Sequence, residues 1–222
     1  MGYYDDKLHA RRLERVYELA TPAVERYLRG EIDFVRQHLQ SDMTMVELGC
    51  GYGRVLPALA EGCRLVLGMD LAIANLRHGR SCLAAHPSIR LLAMDAAELA
   101  FPDHSLDAVV CIQNGLSAFA VDPVRLIQES LRVTRRGGVL LFSTYAEAFW
   151  EHRLEWFQLQ AAEGLLGEID WEATGGGEIV CRDGFRATTF TPDDFHRLTR
   201  GLDATVELHN VDDTSLFCVI RP

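Results

Sequence analysis

Five short apolar runs alternate with helix-patterned stretches between residues 45 and 142, and that alternation leaves few folds open. The runs are Met45-Val46-Glu47-Leu48, residues 64–69, residues 89–94, residues 106–112 and Val139-Leu140-Leu141-Phe142. They are nearly continuous rather than alternating polar and apolar, as strands buried on both faces must be. Between them lie helical patterns: Val55, Leu56, Ala58 and Leu59; residues 72–85; and a stripe of Val124, Ile127 and Leu131 opened by Asp122 as cap and Pro123 as first residue. Gly137-Gly138 are expected to end that last helix. Strands that alternate with helices make a doubly wound α/β fold with a mostly parallel sheet. Right-handed crossovers put every strand's carboxyl end on one edge, where open sheets of this kind take their ligands.

The flanks extend this plan. Residues 1–42 read as two helices, the second capped by Thr21-Pro22 and striped by Val24, Leu28, Ile32, Val35 and Leu39. Residues 147–163 read as a helix with Trp150, Leu154, Phe157 and Ala161 on one face, followed by a glycine loop at 175–177 and a hairpin turning at Asp183-Gly184. A helix opens at Thr191-Pro192 and ends at Gly201, and residues 205–209 and 215–220 read as a terminal antiparallel pair. The expected sheet is therefore seven-stranded, mostly parallel, with an antiparallel C-terminal strand, N-terminal helices and a helix/hairpin insertion.

With 222 residues, 48% of them hydrophobic, the chain can bury one sizeable core without a metal or disulfide. Its net charge of -10 and its single lysine, Lys7, argue against a nucleic-acid partner, because such binders displace counterions with a basic stripe. Six cysteines without a CxxC pair are expected as reduced thiols in a cytoplasmic protein, and no metal site is expected. No run of eighteen apolar residues and no charged leader is present, so neither a signal peptide nor a membrane span is expected.

The most informative stretch is Val46-Glu47-Leu48-Gly49-Cys50-Gly51-Tyr52-Gly53-Arg54. A dinucleotide fingerprint, GxGxxG, would need glycine where Arg54 stands, and a diphosphate would be repelled by Glu47 just before the loop. An acid there suits a ligand that carries positive charge, such as the amino group and sulfonium of an amino-acid nucleoside. Asp70 and Asp95 end the second and third apolar runs. Carboxylates at successive strand ends accept hydrogen bonds from a neutral nucleoside and would not help hold a triphosphate.

In these features the sequence resembles the class I S-adenosylmethionine-dependent methyltransferases, whose first motif is an acid followed by GxGxG. The resemblance runs over roughly residues 43–145. It implies S-adenosyl-L-methionine as cofactor, S-adenosyl-L-homocysteine as product, and cofactor contacts at Glu47, Gly49, Gly51, Gly53 and Arg54. It also implies Asp70 with Leu71 at the ribose, Asp95 with Ala96 at the adenine, and Ile112 with Gln113 beside the methyl group. Asp107, which opens the fourth strand, is expected to order a turn. The chain then divides as one methyltransferase domain: cap helices 1–42, cofactor-binding core 43–145, acceptor-cap insertion 146–190, and a C-terminal helix and strands at 191–222.

Catalytic residues stay open. His152, Tyr145, Asn114 and Tyr17 fall near the ligand edge, but a general base is optional when the electrophile is already activated. For His152 a solvated helix position is the simpler reading. The seven aromatics at 149, 150, 156, 157, 171, 185 and 190 suggest a cap that encloses the acceptor. No Asn-Pro-Pro-Tyr sequence follows the fourth strand, which departs from the branch that methylates amide or base nitrogens. The expected acceptor is a small molecule that offers O, N or S, and the expected assembly a monomer or homodimer. The alternatives are methylation of a protein or nucleic acid, and a non-catalytic nucleoside-binding module.

Overall fold

A computed structural model describes residues 3–119 and 121–222. Its central sheet has seven strands: β1 (Thr44–Leu48), β2 (Leu65–Asp70), β3 (Ile89–Ala93), β4 (Leu106–Cys111), β5 (Thr134–Tyr145), and the C-terminal pair β8 (Thr205–Val211) and β9 (Ser215–Arg221). Their order is β3-β2-β1-β4-β5-β9-β8. Strands β1 to β5 pair in parallel, and β9 lies antiparallel between β5 and β8. The order reverses between β1 and β4, which makes that point the ligand crevice of a doubly wound sheet.

Around the sheet lie α1 (Tyr3–Asp6), α2 (Arg11–Glu18), α3 (Pro22–Arg36), α4 (Leu56–Ala60), α5 (Ile73–Cys82), α6 (Gly115–Ala118), α7 (Pro123–Val133), α8 (Trp150–Ala162) and α9 (Pro192–Leu198). The local signals account for most of their starts. Thr21 accepts from Val24 N, Asp122 from Val124 N, and Thr191 with Asp194 closes a capping box, each beside a first-turn proline.

Three expectations need correction. The N-terminal region holds three helices, α1 being a single turn. Gly137-Gly138 do not end α7, which stops at Val133; β5 starts at Thr134 and runs through both glycines. Gly137 has φ +75° there, and the pairing with β4 slips a register between Leu106 and Ala108, so the glycines absorb an irregularity rather than cap a helix. In α8 the fully buried residues are Arg153, Trp156, Phe157 and Gln160, while Trp150 and Leu154 of the expected face are half-buried. The cause is Arg153, which is wholly buried with its guanidinium 4.6 Å over the Tyr145 ring and donating to the carbonyls of Gly177 and Ala187. A charge held this way belongs inside, so hydrophobicity alone puts the inner face about a quarter-turn off.

The two faces of the sheet bury separate aliphatic clusters, one around Leu48, Val109 and Phe142 and one around Met45, Val66 and Phe217. A third cluster has no strand of the central sheet at its heart. It joins Val16, Val24 and Tyr27 of the N-terminal helices to Phe149, Trp156, Phe157, Leu165 and Phe185 of the insertion. The hairpin of β6 (Glu178–Val180) and β7 (Arg186–Thr188) forms its floor.

Candidate active site

The glycine loop leaves β1 at the crevice and is held there by β2's last residue. Asp70 is buried, and its carboxylate accepts from Gly51 N at 2.8 Å and from Ala72 N at 2.7 Å. One side chain thus fixes both the loop and the start of α5. Gly51 has φ +56°, and a Cβ there would lie 2.8 Å from Leu13 Cδ2 of α2, so backbone conformation and close approach both call for glycine.

Loop, strand ends and α2 enclose a cavity of about 270 Å³. Of the residues expected at the cofactor, Glu47, Gly49, Gly51, Arg54, Asp70, Leu71, Asp95, Ala96, Ile112 and Gln113 all border it. Gly53 does not. Its Cα faces Leu83 and Leu56, with 2.7 Å left for a Cβ, so it serves the packing of the loop on α4 and α5. The wall is completed by Leu13, Tyr52, Asn75, Met94, Gly115 and Phe119, which the sequence did not single out. Tyr52, Asn75, Met94 and Gly115 lie within four residues of expected site residues, while Leu13 and Phe119 come from segments that only folding brings in.

A buried carboxyl and a half-buried guanidinium, Glu47 and Arg54, stand at the loop end of the cavity. Glu47 Oε2 has no hydrogen-bond partner, nor do Nε and Nη2 of Arg54, and the two side chains do not form an ion pair with each other. Arg54 instead stacks 4.3 Å from the Tyr17 ring centroid. Burial pushes the Glu47 carboxyl up to about 8, Arg54 opposes the shift, and Asp70 adds to it. Unsatisfied buried polar atoms on a cavity wall are costly unless a ligand meets them. Here they fit an amino-acid zwitterion, with the carboxylate toward Arg54 and the ammonium toward Glu47.

At the end of β4 the backbone is strained. Gln113 and Asn114 have φ +58° and +60°, unusual for two successive non-glycine residues. Gln113 N donates to Glu31 Oε2 at 2.8 Å and lies 2.9 Å from Ser143 Oγ, while Ser215 Oγ donates to Glu31 Oε1 at 2.9 Å. Glu31 is fully buried, which raises its carboxyl to about 7 against the pull of its hydrogen bonds. The Gln113 side chain accepts from Tyr17 OH at 3.1 Å and leaves Nε2 without a partner.

The four catalytic candidates separate clearly. Tyr17 borders the cavity. Asn114 is buried behind it, its Oδ1 accepting from Thr144 Oγ1 at 2.8 Å. Tyr145 stacks on Tyr27 with centroids 4.8 Å apart, inside the third cluster. His152 is exposed on α8 and leans on Phe149. Asp107 lies at the other edge of the sheet, accepting from Thr44 N at 2.6 Å and pairing with Arg135.

The insertion stands on the same edge as the glycine loop, where Thr188 N donates to Ser117 Oγ and Phe190 N to Thr144 Oγ1. None of residues 146–190 borders the cavity. Its aromatics 149, 156, 157 and 185 are spent on the third cluster, and Trp171 is exposed. Around this cavity α2 forms the cover, and the insertion backs α2, with Trp156 Nε1 donating to Val16 O at 3.1 Å.

A crevice at the strand-order reversal, an acid before three loop glycines and carboxylates ending the next two strands together define a class I nucleoside-binding α/β fold. Residues 46–142 match the family model described as a methyltransferase domain. A probable S-adenosylmethionine-dependent methyltransferase of Mycolicibacterium smegmatis is 34% identical over 119 residues, 53% of this chain and 44% of that protein. A malonyl-[acyl-carrier protein] O-methyltransferase of Serratia marcescens is 33% identical over 102 residues, 46% of this chain and 38% of that one. The chain thus spans under half the length of these curated relatives. In fold it is similar to a putative S-adenosyl-L-methionine-dependent methyltransferase of Methanococcus maripaludis, with TM-score 0.67, 15% identity, and coverage of 100% of this chain and 96% of that one. Over residues 46–142 the chain is thus similar to methyltransferase domains, and its curated relatives over that stretch include S-adenosylmethionine-dependent methyltransferases. Among the described residues no helix is long and apolar enough to cross a membrane.

Proposed function

We propose that this protein transfers a methyl group from S-adenosylmethionine to a small-molecule acceptor. The observation that carries the reading is the set of buried polar atoms without hydrogen-bond partners on one wall of the cavity, Glu47 Oε2 with Nε and Nη2 of Arg54. Arg54 donates to the cofactor carboxylate and Glu47 accepts from its ammonium. Asp70, held by Gly51 N, Ala72 N and, at 3.4 Å, Asn75 Nδ2, lies on the cavity wall where the ribose hydroxyls would meet it. Asp95 and Ala96 meet the adenine edge, with exposed Leu71 covering the nucleoside. The bound cofactor supplies an activated methyl on a sulfonium, open to in-line displacement.

What the chain adds is position and dryness. Ile112 and Gln113 form the wall expected beside the methyl group, and the hydrogen bond from Tyr17 to Gln113 closes α2 over it. Tyr17 is no general base: burial raises its phenol above the ordinary value, so it stays protonated and donates. Asn114, Tyr145 and His152 do not reach the cavity. The reading is therefore catalysis by enclosure, with an acceptor that needs no strong base from the protein.

A small acceptor is supported by the enclosure under α2 and by the net charge of -10, both unfavourable to a polyanion. The Serratia marcescens relative's name, an O-methyltransferase, supports oxygen as the attacking atom. Calorimetry tests the cofactor half: S-adenosylmethionine and S-adenosylhomocysteine should bind and NAD should not. Incubation with methyl-labelled cofactor and fractionated cell extract tests the rest. Label in the small-molecule fraction is expected, and label confined to protein or nucleic acid would overturn the acceptor assignment.

A further inference from the structure

Glu14 of α2 and His78 and Cys82 of α5 converge just outside the cavity. His78 Nε2 lies 3.0 Å from Glu14 Oε2 and 3.6 Å from Cys82 Sγ, and the three donor atoms all fall within 4.8 Å of one another. His78 and Cys82 are one helical turn apart, so they share a face of α5, while Glu14 arrives from the opposing helix. No such cluster was expected, because its donors span two distant segments and only the His-x-x-x-Cys spacing is visible in the sequence.

The arrangement has more donors than hydrogen bonding can use. A single imidazole nitrogen has one proton or one lone pair, and here it faces a carboxylate and a thiol at once. A tetrahedral zinc ion, with its ligands at about 2.0 to 2.3 Å, spaces them roughly 3.3 to 3.8 Å apart. The separations of 3.0 and 3.6 Å lie near that range, and the third, between Glu14 and Cys82, is within 4.8 Å, so side-chain rotation is needed to close the set. Thiolate, imidazole and carboxylate together suit zinc rather than a hard cation. Side-chain exposures of 16% for His78 and 30% for Glu14, with Cys82 exposed, leave a fourth position open to water. Arg11 approaches Glu14 to 3.8 Å, but its side chain is 86% exposed and free to swing outward.

We propose that Glu14, His78 and Cys82 bind one zinc ion, with water as fourth ligand, and that the ion pins α2 against α5. Binding releases the Cys82 thiol proton to solvent. The place matters because α2 carries Leu13 and Tyr17 of the cavity wall. At its other end the start of α5 is tied to Asp70 through Ala72 N, and Asn75 Oδ1 accepts from Ala10 N at 2.7 Å. Zinc would thus complete a set of links that hold the cover on the site.

The test is a titration of the chelator-stripped full chain with zinc chloride against a chromogenic competitor. One ion per chain is expected, with affinity reduced at least tenfold in His78→Ala and in Cys82→Ser. Zinc should also slow maleimide labelling of Cys82, read by peptide mapping. Thermal melts of both variants without zinc should match the wild type, which separates lost ligation from lost fold. Failure of the wild type to take up zinc, or uptake unchanged in both variants, overturns the site. The clamp itself rests on the cofactor reading and has its own measurement: zinc should tighten S-adenosylhomocysteine binding several-fold in the wild type and not in Cys82→Ser. Zinc uptake without that tightening would overturn the clamp and leave the cofactor reading standing. A chain that binds zinc but no sulfur nucleoside would do the reverse.

Discussion

The sheet and the third cluster are both apolar and well buried, but they hold the site in different ways. The sheet contributes strand ends: Glu47, Asp70 and Ile112 stand where the backbone of β1, β2 and β4 puts them, each within a few residues of the element that fixes it. The cluster of Trp156, Phe157 and Phe185 with Val16, Val24 and Tyr27 puts no residue of the insertion on the cavity wall and meets it only through Tyr17 of α2. It acts by holding α2 down. A site can thus be half built by local geometry and half by packing between segments more than a hundred residues apart, such as Trp156 on Val16.

The largest expected effect separates these two supports. Trp156→Ala removes a buried indole and its bond to Val16 O, and large-to-small changes of this kind cost about 3 to 5 kcal/mol. Because Val16 lies between Leu13 and Tyr17, S-adenosylhomocysteine affinity should fall with stability. Leu140→Ala, in the middle of β5, should cost a comparable amount of stability and leave affinity nearly unchanged in the folded fraction. Equal effects on affinity would erase the distinction.

Next comes the pH response of Glu47. Its folded value of about 8 exceeds the ordinary 4.5, so burial favours the neutral form. The stability it contributes is present below about 4.5 and is lost as pH rises toward 8, at up to roughly 1.4 kcal/mol per pH unit. Glu31, raised to about 7, acts with the same sign. Melts from pH 5 to 8.5 should show Tm falling, with a shallower slope in Glu47→Gln. A wild-type slope identical to that of Glu47→Gln would sink the assignment. Cofactor binding selects the ionised form, so affinity should rise from pH 6 to 8.

Asp70→Asn is expected to weaken cofactor binding by about tenfold or more, since hydrogen bonds to a charged group are worth roughly 1.5 to 3 kcal/mol. The glycine loop should also loosen, because Gly51 N and Ala72 N both donate to that carboxylate. Hydrogen exchange at Gly51 reads this directly, and unchanged protection there with unchanged affinity would break the assignment. At the small end, His152→Ala should leave turnover within the scatter of a surface change, about 0.5 kcal/mol. A large loss of kcat would bring the insertion back into the chemistry.

The same contrast explains what the sequence disclosed. The strands, the loop and its acids were legible because each signal is confined to a few consecutive residues: Glu47 beside Gly49, Asp70 at the end of β2, Thr191 three residues before Asp194. The inner face of α8 was misjudged because Arg153 is satisfied by ring faces and by the carbonyls of Gly177 and Ala187, partners a helical-wheel reading cannot see. That residues 1–42 hold cap helices was legible, but which side chains complete the cavity wall was not, for a similar reason. Leu13, Asn75 and Phe119 meet only after folding, and none carries a chemical label that would single it out.

Glu31 gives the molecule an order of events. Its carboxylate holds Gln113 N across 82 residues and Ser215 across 184, so the left-handed turn at the end of β4 has its full anchorage only when β9 has taken its place beside β5. During synthesis the glycine loop and the first four strands emerge long before residue 215 does. The closing strand thus acts as a check on completeness: the Gln113 turn gains its last anchor through Ser215, on the same strand whose Phe217, Cys218, Val219 and Ile220 complete the core.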